Sequence, residues 1–169
     1  MKLTTFILKT FLITILFICT SCGAYVKMRA ISKITVENDA IPPDFGTEET
    51  ILLCVITGKK GYDKYMKKHV SNEYHGKYEF VMRKDINSDK YQNTSKYKYL
   101  FDFEKLQYKT THSADTPSGF ETITITTASY YLFDRDENIT YKCPNTSSYF
   151  SRIIQAYMIN LENERIKNQ

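Results

Sequence analysis

The sequence predicts an α+β fold, a two-layer sandwich in which two helices cover one face of a mixed sheet of about five strands. A short, continuously apolar run precedes an amphipathic helix pattern, and four strand-like segments follow it. The chain then closes on a helix whose apolar stripe keeps its period over three turns. The predicted order is β-α-β-β-β-β-α, and 169 residues allow one compact domain.

The first three elements form a strand-helix-strand unit. Ile51–Ile56 is continuously apolar, which is typical of a strand covered on both faces. Thr57–Gly61 turns the chain into a helix that Gly76 can end, and a strand follows over residues 77–82. The apolar positions of the helix are Tyr62, Tyr65, Met66 and Val70. A right-handed crossover makes the two strands parallel.

The remaining strands are expected to be antiparallel. Alternation predicts a half-buried strand over residues 97–104, with a polar loop over 110–119. Phe120–Phe133 is rich in strand formers, and Ile139–Cys143 returns as its hairpin partner. After Pro144 comes the final helix. Its apolar positions are Tyr149, Phe150, Ile153, Ile154, Tyr157, Met158 and Leu161.

Residues 1–21 have the layout of an export signal. Lys2 and Lys9 supply the positive region, and Thr10–Cys19 supplies an apolar run of ten residues. Ten helical residues reach about 15 Å, half of the hydrocarbon thickness of a bilayer, so a permanent spanning helix is a poor interpretation.

Cys22 changes the kind of signal that is expected. Small residues stand before it and Gly23 follows it, so Cys19-Thr20-Ser21-Cys22-Gly23 resembles the lipobox of bacterial lipoproteins, with Cys19 where leucine is usual. The resemblance implies cleavage before Cys22 and acylation of its thiol, with palmitate-type chains that anchor the protein to a membrane. The alternative is an ordinary secretory peptide cut near Ser21 or Ala24, which leaves a free thiol.

The mature chain is then expected to have two parts. Residues 22–48 form the lipidated N-terminus and a tether, because consecutive prolines at 42 and 43 prevent a helix, although Ile41 and Phe45 could dock on the domain. Residues 49–169 form the single α+β domain.

Two cysteines remain in that domain, Cys54 and Cys143. In an oxidising compartment they could form one disulfide. Because Cys54 lies inside an apolar run, a buried free thiol is the favoured alternative.

The charge of the chain excludes one class of partner. The formal net charge falls from +4 to +2 once Lys2 and Lys9 are removed, which is too small for nucleic-acid binding. Residues 58–109 nevertheless carry a net charge of +6 and eight tyrosines. Such a mixture suits a glycan or an acidic polymer, but core tyrosines beneath solvated lysines explain it as well and are favoured.

No catalytic or cofactor motif is recognisable. His69, His75 and His112 lack the spacing of metal ligands, so we expect no metal, no cofactor and no enzymatic activity. The turn Thr57–Gly61 could hold an anion, but an ordinary strand-to-helix turn is favoured. Asp134–Asn138 opens like a calcium loop without its glycine and glutamate, so a hairpin turn is favoured there too.

The signal and the lipobox together resemble those of the small cell-envelope lipoproteins of Bacteroidota. This resemblance implies a lipid-anchored protein on the periplasmic or surface face of the cell envelope, and it implies no particular activity. The leading hypothesis is a non-catalytic binding or accessory module for a protein partner or an envelope glycan. The alternatives are a small hydrolase whose site forms no motif and a structural subunit of an envelope assembly.

Overall fold

The computed structural model of the protein describes residues 23–113, 120–144 and 147–169. The helices in these ranges are α1 (residues 23–31), α2 (Lys60–Glu73) and α3 (Phe150–Lys167). The strands are β1 (Leu52–Ile56), β2 (Tyr78–Met82), β3 (Tyr99–Ser113), β4 (Phe120–Asp134) and β5 (Ile139–Lys142). No helix in the described part of the chain combines the length and the apolar character that crossing a membrane requires.

The five strands form one open, mixed sheet in the order β2-β1-β3-β4-β5. β1 runs parallel to β2 and to β3, whereas β3, β4 and β5 pair antiparallel. The α+β class, the order of the elements from β1 onward and the parallel pairing of the first two strands are therefore confirmed.

Both α2 and α3 pack on one face of the sheet, as the sequence predicts. In β3, the alternating side chains Tyr99, Phe101 and Phe103 face the helices. The ring centroids of Phe101 and of Tyr157 in α3 are 4.9 Å apart. α2 contributes Met66 and Val70 to the same core.

The other face of the sheet carries a smaller core. Leu53 and Val55 of β1 pack there with Val81, and Tyr91 and Tyr97 from the connection between β2 and β3 cover them. β1 is therefore buried on both faces, which explains its continuous apolar run.

Residues 23–48 do not form the expected tether. They begin with α1, a third helix that the sequence did not predict, and they continue as turns that pack on the main core. Ile34, Ile41 and Phe45 are almost completely buried, and the amide of Asn160 in α3 donates to the backbone carbonyls of Ile31 and Ile34. Residues 23–48 are therefore packed as part of the domain, because their buried side chains complete its core.

The β3–β4 hairpin is longer than expected. A loop was predicted from residue 110, but β3 continues to Ser113 and pairs along its whole length with β4, up to Ser113 opposite Phe120. The rest of the predicted loop, residues 114–119, lies outside the described residues.

Candidate functional site

The first described residue, Gly23 in α1, marks where the predicted lipid anchor would join the domain. Cys22 itself lies outside the described residues. Gly23 lies close to α3, because a Cβ placed on it would be 3.4 Å from Nε of Arg152.

Beside Gly23, a cleft of about 370 Å³ opens between α2 and the beginning of α3. We call it the α2–α3 cleft. Its lining residues are Tyr65, Lys68, His69, Ser148, Tyr149, Phe150, Ser151 and Arg152.

His69 is the most buried polar side chain in this cleft, with 4% of its surface exposed. Its Nε2 lies 2.9 Å from Oγ of Ser151, and its Nδ1 is buried without a hydrogen-bond partner among the described residues. Burial lowers the pKa of His69, and Lys68, Arg152 and Lys27 lower it further, while Glu73 opposes them. The ring is therefore neutral at pH 7.

A neutral histidine beside a serine hydroxyl could act as a general base toward it. The usual third group, a carboxylate that orients the other ring nitrogen, is missing from the described surroundings of Nδ1. The cleft thus contains two of the three members of a nucleophilic triad. Sequence reasoning missed the pair because His69 and Ser151 are 82 residues apart and neither stands in a motif.

The other two histidines lie elsewhere. The backbone N–H of His75 donates to Oε2 of Glu162, and its exposed ring lies 3.4 Å from the same carboxylate, near the far end of α3. His112 belongs to β3, but its side chain is outside what the structure describes. Among the described residues, no group of three or more potential ligands could hold a metal ion.

The two turns that resembled ion sites are occupied by the protein's own side chains. At Thr57, both the backbone N–H and the hydroxyl donate to the carboxylate of Asp63, so these two donors already have a partner. In the β4–β5 turn, the backbone N–H groups of Asp136 and Glu137 donate to Oδ1 of Asp134. Both segments are turns, as favoured from the sequence.

Cys54 and Cys143 do not form the disulfide that the sequence left open. Cys54 is a free, buried thiol in β1, and burial raises its pKa. The backbone N–H of Cys143 donates to Tyr130 in β4, so Cys143 lies one strand beyond β4. Three strand spacings, about 14 Å, therefore separate the two residues, and a disulfide needs Cα atoms within about 7 Å.

Most tyrosines of the basic segment pack in or against the core. Residues 58–109 contain eight of them, and the seven whose side chains are described are all buried or half-buried. Six of the seven belong to or pack against the two core clusters, and Tyr65 lines the α2–α3 cleft. The favoured interpretation is confirmed for these six.

A second cleft, of about 430 Å³, lies on the open part of the other sheet face. Tyr131 and Phe133 of β4 line it beside an ion pair between Lys142 and Glu104, whose charged atoms are 3.1 Å apart. The hydroxyl of Tyr131 donates to the buried Asp102, and burial together with this carboxylate raises the pKa of Tyr131 to about 12. The rings of Tyr131 and Phe133 are half-buried.

The outer half of the β3–β4 hairpin, residues 104–113 and 120–127, extends beyond the rest of the sheet, and we call it the arm. β1 pairs with β3 only at Leu100 and Phe101, and β5 pairs with β4 only from Tyr131 onward. No other described strand pairs with the arm, and an isolated bridge between Ala128 and Ser147 lies just below its base. Among the described residues, the backbone N–H and C=O groups on both edges of the arm are therefore not paired with another strand. Eight residues beyond Lys105 correspond to roughly 25 Å of strand.

No protein-family model, no curated protein and no solved structure matches the chain.

Proposed function

We propose that the protein is a lipid-anchored accessory module of the bacterial cell envelope, acylated at Cys22, that binds a protein partner through the arm. The anchor follows from the signal layout of residues 1–21 and from the lipobox that ends at Cys22. The module is non-catalytic, binds no nucleic acid and needs no cofactor.

The observation that carries the binding role is the pair of open edges on the arm. Unpaired groups on a strand edge are matched by an extended segment of another polypeptide, which adds a strand to the sheet. Three charged side chains are exposed along β3: Glu104, Lys105 and Lys109. Charges on a strand edge discourage unspecific pairing with other strands, but they allow a segment of complementary charge to bind. A long exposed strand edge favours a protein partner. A glycan is less favoured, because the described tyrosines of the basic segment are buried or half-buried.

Photo-crosslinking in native envelopes tests this role. A photoreactive residue at Gln107, which is exposed on the arm, is expected to capture one protein through an extended segment. The matched control places the same residue at Lys84, which is exposed on the connection between β2 and β3. Crosslinks from Gln107 to glycan, or equal capture from both positions, contradict the proposal.

A variant with a shortened arm provides the second measurement. Lys105 and Ala128 are paired, so a two-residue Asn-Gly turn between them replaces residues 106–127 without disturbing the inner hairpin. We expect the free energy of unfolding to change little and the crosslinked partner to be lost. Retention of the partner by a folded short-arm variant would place the binding surface elsewhere.

A small hydrolase is the second candidate, because Nε2 of His69 lies 2.9 Å from the hydroxyl of Ser151. If it is correct, the wild-type protein cleaves a chromogenic ester and Ser151→Ala abolishes the cleavage. Ser148→Ala is the matched control, since Ser148 lines the same cleft and the described hydrogen bond of His69 is with Ser151. Equal rates for the two variants exclude a Ser151 nucleophile.

A further inference from the structure

Two basic side chains, Lys68 and Arg152, line the α2–α3 cleft. Both lower the pKa of the buried His69 through their charge, and Lys27 of α1 does so to a smaller extent. None of the three forms an ion pair with another described residue, and Arg152 instead donates to the amide oxygen of Gln155 at 3.1 Å. Glu73, the carboxylate that acts on the same ring, accepts a hydrogen bond from Gln155. The basic side chains of the cleft therefore have no ion-pair partner among the described residues, although Glu73 offsets part of their charge at His69.

Exposed apolar side chains surround this charge. Tyr25 and Met28 are on the outward face of α1, with 61% and 65% of their surfaces exposed, and Arg29 is exposed beside them. Tyr149, at the rim of the cleft, is 52% exposed. Tyrosine rings next to basic side chains are typical of surfaces that meet lipid headgroups, since the ring spans the boundary between apolar and wet regions.

This surface lies next to the predicted lipid anchor, so a membrane is the partner that it would meet. Gly23 is bonded to Cys22 and lies beside Arg152, so fatty acids on Cys22 would enter the bilayer next to the cleft. Because residues 23–48 are packed on the core and do not form a spacer, there is no long tether to hold the domain away from the lipid.

We propose that the surface formed by α1 and the α2–α3 cleft lies against the anionic phospholipid headgroups of the membrane that holds the anchor. Lys68 and Arg152 bind the lipid phosphates, and Tyr25, Met28 and Tyr149 lie at headgroup level. This inference rests on the proposed acylation of Cys22. It adds that the domain is held against the membrane in one orientation by charge and apolar contact.

Hydrogen exchange of the acylated mature protein in vesicles tests the orientation. Vesicles of phosphatidylcholine are compared with vesicles in which a quarter of the lipid is phosphatidylglycerol. We expect amide exchange in residues 23–31 and 147–152 to be slowed in the anionic vesicles by about fivefold for each engaged cation. In 1 M salt, where the screening length is about 3 Å, the difference between the two vesicles disappears.

Matched charge reversals identify the residues. Lys68→Glu combined with Arg152→Glu is expected to abolish the protection by anionic lipid. The control combines Lys84→Glu with Lys96→Glu, two exposed lysines on the connection between β2 and β3, and is expected to retain it. Loss of the protection in both double variants contradicts the proposal, because it would follow from net charge alone.

The outcomes separate this inference from the proposed anchor. If mass spectrometry finds the thiol of Cys22 unmodified in the native protein, the anchor is wrong. If the protein is acylated and vesicle-bound but exchanges equally in neutral and anionic vesicles, the anchor stands and the orientation is wrong. If inorganic phosphate gives the same protection in neutral vesicles, the cleft binds soluble phosphate and the membrane contact is again wrong.

Discussion

The turns of residues 32–48 have almost no regular secondary structure, whereas the arm pairs residue by residue as an antiparallel ladder. The burial of side chains differs in the opposite sense between the two segments. Ile34, Ile41 and Phe45 of the turns are in the main core, while Ile125 in the arm is 47% exposed. Regular backbone hydrogen bonding and contribution to the core are thus separate properties in this protein. The irregular segment packs in the main core, and the regular one has edges that no other described strand covers.

Removing a ring from the irregular segment should have the largest effect on stability. Phe45 packs against Tyr99 and Tyr74, with ring centroids 5.0 and 6.2 Å away, and is almost completely buried. Phe45→Ala leaves a cavity, so we expect the free energy of unfolding in urea to fall by about 3–5 kcal/mol. A loss below about 0.5 kcal/mol would mean that residues 32–48 are a spacer after all.

Removing the polar contact that holds the same segment should have a smaller effect. Asn160→Ala leaves the carbonyls of Ile31 and Ile34 without their donor, one of them in a buried bond, which costs about 1–3 kcal/mol. Asn168→Ala is the matched control, since Asn168 also donates to carbonyls of this segment, those of Pro43 and Phe45, but near the surface. If both variants lose equal stability in urea unfolding, burial of the Asn160 contact is not what stabilises it.

Acid should lower the stability that depends on His69 in the α2–α3 cleft and leave the arm unchanged. The pKa of His69 is lowered in the folded state from its ordinary value of 6.5, so the unfolded chain takes up this proton at the higher pH. The contribution to stability is therefore fully present above pH 6.5 and is lost as the pH falls through the folded-state pKa. We expect the unfolding free energy of the wild type to decrease between pH 7.5 and 5.5, and His69→Gln to reduce this slope. Amide exchange in residues 120–127, corrected for its intrinsic pH dependence, should not change, and a change there would contradict local control by His69.

The elements that the sequence predicts well are those with a strong local pattern. β1 and α3 follow from a continuous apolar run and from a helical stripe, and the core role of Tyr99 follows from alternation. Alternation placed Tyr97 on the same face, but it precedes β3 and packs in the smaller core on the other face of the sheet. The packing of residues 32–48 has no such pattern, because it depends on contacts such as the one between Asn160 and Ile34, 126 residues apart. The pair of His69 and Ser151 escapes prediction for the same reason.

The length of the arm was underestimated because turn-forming residues near 116–119 and the threonines before them suggest a loop. Threonine also favours strands, and in the structure the ladder between β3 and β4 continues through Thr110 and Thr111. Cross-strand pairing decides whether these residues form a loop or continue the strand, and a local sequence pattern does not contain that pairing.

The smallest effect on stability is expected in the arm itself. Ile125 is exposed, so Ile125→Thr removes little buried area and keeps a strand-forming residue. We expect the free energy of unfolding to change by less than about 0.5 kcal/mol, while the yield of the partner crosslink from Gln107 falls, because the apolar side chain is lost from the surface that the partner covers. A loss of stability comparable to that of Phe45→Ala would mean that the arm packs against part of its own chain. In that case its edges are not free, and the contrast between the two segments, together with the binding role built on it, would not hold.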